Sequence, residues 1–183
     1  SAPQWVDNLL FTIFCKIANK NSLSSSQKKR ISDFLCKKIL NDFNFLCQSL
    51  ESETNLVSSD IYLRSIIGLD SDQWKQIQKN YDLEFLNNKD FLTAAWNLLG
   101  DPKENEISKK TIILRIFKNK NLEKAIEESL KGENLLSPSN YQVEVFLQFF
   151  GKKENLLKED STLLIKACTS SNSRLNGFAL SLK

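Results

Sequence analysis

Three basic residues recur at one spacing. Arg64 lies in IYLRSIIG (61–68), Arg115 in TIILRIFK (111–118) and Lys166 in TLLIKACT (162–169), with 115 − 64 = 51 and 166 − 115 = 51. Each cation sits inside a short apolar run. If the three share a face, they form a ladder of positive charge suited to an acidic peptide or a phosphate backbone. The competing arrangement packs each stem along its own helix and leaves the charge paired or in water.

Other chemistry is limited by composition. The chain has no histidine, which removes Ser-His-Asp and Cys-His arrangements and the commonest general acid–base at neutral pH. The paired acids Glu127–Glu128 and Glu159–Asp160 sit among lysines. Adjacent positions on a helix point in different directions, so these pairs read as solvated surface. The five glycines stand singly and no phosphate-cradling glycine motif occurs. Cys15, Cys36, Cys47 and Cys168 lie in apolar helical runs without a CxxC spacing, and read as small core residues. The expectation is therefore a non-catalytic chain that holds no cofactor and no metal.

A second basic group is Lys28, Lys29 and Arg30 in QKKRISDFLCKK, with further doublets at Lys109–Lys110 and Lys152–Lys153. Acids such as Glu104, Glu106 and Glu154 stand beside several of these, and the net charge is only +3. A strongly basic nucleic-acid footprint is absent. Nucleic acid remains the alternative partner; another protein or peptide is the first. Trp5, Trp74 and Trp96 suit core anchoring, with Trp5 the one expected to lie exposed at the start of the chain.

These residues need helices to position them. Gly at 5 and Pro at 3 are too few for the turns of a β-sandwich, and apolar residues recur at steps of three and four throughout. Ser24–Gln27 and Asp70–Gln73 have capping-box spacing. Caps are also expected at Ser59 or Asp60, Asn87, Ser108, Ser137, Ser161, and Ser171 or Ser173; Gly100 with Pro102 beyond it marks a stop. YQVEVFLQFF alternates briefly like a strand, but its length and Ser-Pro start favour helix.

The fold class expected is all-α: an α-solenoid-like array of about three three-helix units at 43–80, 88–131 and 139–183, after N-terminal helices in 1–42. Each unit reads as a long apolar helix, a polar break, a short apolar helix with an embedded cation, and a third helix. The alternative is an irregular single-domain helical bundle. On these blocks the chain resembles the HEAT and armadillo class of helical repeats, and that resemblance implies an extended surface for binding other proteins. A 51-residue unit exceeds the roughly 40–47 usual in that class.

No apolar run reaches the roughly 20 residues that span a bilayer, so no membrane partner is expected. The lack of a glycosylation sequon and the cysteine usage point to a reducing intracellular compartment, nuclear or cytoplasmic. No methionine is present and the last residues are still apolar, so the chain reads as a segment of a longer protein.

Overall fold

The computed structural model describes residues 23–24, 26–27, 30, 59–81, 83–130, 135–151 and 160–182. Every regular element among them is helical, and no strand occurs among them. The chain divides into two compact units, Ser1–Phe85 and Leu86–Lys183.

In the first unit, α1 spans Ser59–Gly68 and α2 spans Ser71–Asn80. Asp70 caps α2 with a complete capping box: its carboxylate accepts from Gln73 N at 2.8 Å, and Gln73 Oε1 accepts from Asp70 N at 3.1 Å. Leu63, Ile66, Leu69, Trp74 and Ile77 are buried. Farther upstream, the Ser24–Gln27 box also forms, with bonds of 2.9 and 3.3 Å.

The second unit holds α3 (Lys89–Gly100), α4 (Glu106–Ile112), α5 (Glu123–Leu130), α6 (Asn140–Phe150), α7 (Asp160–Cys168) and α8 (Ser173–Ser181). Helix α4 runs directly into a π-helical turn, Ile113–Phe117, closed by Lys118 N donating to the Ile113 carbonyl at 2.8 Å. Ile112, Ile113, Ile116 and Phe117 are all buried. Phe117 meets Trp96 edge-on at 6.4 Å.

The caps correct several expected positions. Helix α3 is capped by Asn88 rather than Asn87, and α4 by Asn105, whose side chain accepts from Ser108 N at 2.7 Å. Ser108 is thus the group being capped. Ser139 rather than Ser137 caps α6, and Asn172 rather than Ser171 or Ser173 caps α8. In each case the helix begins one to three residues away from the expected start, because several Asn and Ser residues compete at these boundaries. The segment 141–150 is helix throughout, which resolves the alternating stretch.

Packing is organised around α6. It lies against α3, the π turn, α5 and α8, and α7 packs against α8. The capping box of α6 ties it to the end of α3. Ser139 Oγ donates to the Leu99 carbonyl at 2.7 Å, and Gln142 Nε2 donates to the Trp96 carbonyl at 3.1 Å. The same Gln142 closes the cap by accepting from Ser139 N at 2.9 Å. One side chain therefore satisfies groups of two helices.

Burial within this unit recurs at the sequence spacing. The caps Asn88 and Ser139 are 51 apart (139 − 88 = 51), and the pairs Phe91/Gln142, Leu92/Val143, Ala95/Phe146 and Leu99/Phe150 are buried at that same offset. So are Ile112/Leu163, Ile113/Leu164 and Ile116/Ala167. The agreement is incomplete: Trp96 and Phe117 are buried, while Leu147 and Cys168 are half-buried. In the first unit Ser65 and Ile66 are buried like Ile116 and Phe117, but Leu63 is 0% exposed where Leu114 and Ile165 are 64% and 62% exposed. The three-fold correspondence read from the sequence breaks at that position.

Candidate functional site

Leu114 and Ile165 define the outer faces of α4 with its π turn and of α7. Each is flanked by buried apolar residues two positions away, Ile112 and Ile116 in one case and Leu163 and Ala167 in the other. A helix that buries those neighbours must turn the intervening side chain outward. Ile107, 79% exposed, stands seven residues before Leu114 (114 − 107 = 7), two turns along the same side. Thr111 lies between them, half-buried, its hydroxyl donating back to the Ile107 carbonyl at 2.8 Å. The signal for this face was present in the sequence: Ile107 and Leu114 are out of phase with the buried 109–112–113–116 series.

The cations take different positions. Arg64 and Arg115 are half-buried, Lys166 is exposed, and neither arginine is without a partner. Arg64 belongs to the first unit, Arg115 and Lys166 to the second. Arg30 is exposed. Trp5, Lys28 and Lys29 lie outside the described residues. Trp74 and Trp96 are buried, as core anchors would be.

Two further lysines are already engaged. Lys109 is 7% exposed and holds its ammonium 5.4 Å from the centroid of the Tyr141 ring, a cation–π contact between α4 and α6. Lys118 Nζ lies 4.0 Å from a Glu144 carboxylate oxygen, and both side chains are about half exposed. Sequence reasoning missed both partnerships, because each crosses from the α4 segment to α6 over about thirty residues of chain.

Beside the π turn is an open cleft of about 470 Å³, lined by Phe117, Lys118, Asn119, Lys120, Glu123, Glu144, Gln148 and Phe149. Gln148 Nε2 donates to the Phe117 carbonyl at 3.4 Å across its floor. The two phenylalanines are almost wholly buried, and the lining is mixed apolar and polar with both signs of charge. It offers hydrogen bonds and one lysine–glutamate contact, Lys118–Glu144, but no nucleophile with a base. Among the described residues no cluster of three or more Cys, Asp or Glu side chains is placed to hold a metal, and Cys168 is a free thiol. No described helix is long and apolar enough to cross a membrane.

Comparison with protein-family models, with curated proteins and with solved structures finds no match for this chain.

Proposed function

We propose that this chain is a non-catalytic helical scaffold module of a larger intracellular protein, and that it binds a protein partner on the outer faces of its middle helices. Residues 88–131 and 139–183 are then two copies of one stacked three-helix unit. The observation that carries the docking reading is the shared exposure of Leu114 and Ile165. Two large aliphatic side chains stand in water at equivalent positions of two helices whose inner faces are fully buried. Isolated exposed leucines are ordinary, but the same exposure at one position of two similarly buried helices suggests a surface kept apolar for contact.

The stacking reading draws support from α6, which lies against all three helical elements of the preceding trio, α3, the π turn and α5. Units of this kind cannot bury their apolar faces alone. The basic residues favour protein over nucleic acid: Lys109 is buried, Lys118 is paired with Glu144, and Arg64 and Arg115 both have partners. A phosphate-tracking surface needs cations free in water.

The test is a photo-crosslinking amino acid placed in turn at 114, 165 and the exposed control position 124 in the intact protein, followed by irradiation in cells. The reading expects protein adducts at 114 and 165 and none at 124. Nuclease-sensitive adducts, or none at 114 and 165, would contradict it.

A further inference from the structure

Asparagine precedes glycine at one place in the chain, Asn176–Gly177, near the middle of α8. We infer that this pair is a deamidation site gated by the opening of α8, and that its product unclasps the end of α7. An Asn-Gly step is the least hindered setting for the reaction, because glycine has no side chain to shield its backbone nitrogen. That nitrogen loses its proton and attacks Asn176 Cγ. The N–Cγ bond forms, the Cγ–Nδ2 bond breaks, and ammonia leaves with the proton. Water then opens the cyclic imide at either carbonyl, giving aspartate or isoaspartate. One water enters and one ammonia departs, with no change in oxidation state.

The closed helix holds this reaction back. Inside an α-helix the Gly177 N–H is committed to the carbonyl four residues earlier, and helical dihedrals keep its nitrogen away from Cγ. Asn176 N donates to the Asn172 carbonyl at 2.9 Å in the same ladder. Several features make α8 easy to open. Its nine residues are too few to hold a helix unaided, and a glycine in the middle weakens it. Gly177 is exposed and faces open space. The packing that keeps α8 in place comes from Leu175 and Ala179, both buried, and from Phe178, which meets Phe146 edge-on at 6.2 Å.

The Asn176 amide is what the reaction consumes, and it has a structural task. The last carbonyls of α7 are satisfied in turn. That of Lys166 accepts from Thr169 N at 3.1 Å, that of Ala167 from Ser170 N at 3.1 Å, and that of Cys168 from Asn176 Nδ2. The side chain thus fastens α8 to the negative end of α7. A carboxylate in its place has no N–H to donate, and adds negative charge where the α7 dipole already ends negative. Isoaspartate also lengthens the backbone by one atom, which breaks the repeat of α8. An opening that ends in reaction is therefore not undone by reclosing.

The test incubates the full chain, folded and guanidinium-unfolded, at one temperature and pH. Peptide mapping by mass spectrometry follows the amide-to-acid mass change and the split between aspartate and isoaspartate. Conversion at Asn176 is expected in both, roughly 10- to 100-fold slower in the folded chain because α8 must open first. Gly177→Ala, whose Cβ enters open space, should slow it at least about 10-fold further by shielding the nitrogen and firming the helix. In hydrogen exchange, Asn176→Asp should speed the α8 amides about 10-fold through loss of the clasp. Asn172→Asp makes the same chemical change at the N-cap of α8, where a carboxylate accepts from Leu175 N as the amide oxygen does, and should leave exchange unchanged.

Equal rates in the folded and unfolded chain, a folded rate more than about 1,000-fold slower, or no effect of Gly177→Ala would overturn the gated site. Unchanged exchange in Asn176→Asp, or the same acceleration in Asn172→Asp, would overturn the unclasping.

Discussion

Gln142 Nε2 donates to the Trp96 carbonyl at 3.1 Å through the space left by the missing side chain of Gly100. A Cβ on Gly100 would stand 2.6 Å from that nitrogen and 3.0 Å from Cδ. Gly100 has no positive φ, so its backbone tolerates alanine; the obstacle is the amide alone. A glutamine end normally swings aside at little cost, but this one is 9% exposed and held at both atoms.

Gly100→Ala is therefore expected to destabilise by about 1 kcal/mol, the worth of one or two displaced hydrogen bonds less the gain in helix propensity. In a Gln142→Ala background the same change should become neutral or stabilising by up to about 1 kcal/mol. Urea denaturation of the four proteins of this cycle checks it. Additive effects would mean that the two residues do not meet.

An alanine series separates the inner and outer sides of the middle helices. Leu63→Ala and Ile116→Ala each truncate a side chain that is 0% exposed and should cost about 2–5 kcal/mol. Leu114→Ala removes a side chain that is 64% exposed and should change stability by no more than about 0.5 kcal/mol. Denaturation midpoints decide. A large loss for Leu114→Ala would place that residue in the core.

The Lys118–Glu144 contact should matter little to folding. At 4.0 Å, with both side chains about half exposed, its coupling energy in a double-mutant cycle is expected below about 1 kcal/mol and should fade in high salt. A larger, salt-resistant value would mean a tighter pair than the 4.0 Å contact implies.

The helical class was legible because three- and four-residue apolar steps and capping chemistry agree locally. Asp70–Gln73 spells out its own capping box, and Gly100 with Pro102 spells out a stop. Caps slipped where Asn and Ser crowd together, as at Asn87–Asn88 and Ser137–Ser139, since any of these side chains can accept from the first turn. The π turn was not legible. Ile113 and Phe117 are four apart and would share a face in a regular helix too, so the apolar pattern carries no sign of the wider turn. Arg115 and Lys166 were readable as a spacing, yet their different exposure depends on neighbours far along the chain.

The most direct measurement joins folding and binding in one protein. In Leu114→Glu/Ile165→Glu, thermal unfolding should stay within about 2 °C of the unsubstituted chain, because both side chains already face water. Retention of the protein recovered by cross-linking at 114 should fall at least about 10-fold. Unchanged retention by the folded double variant, or collapse of its fold, would contradict the assignment of these faces to a partner.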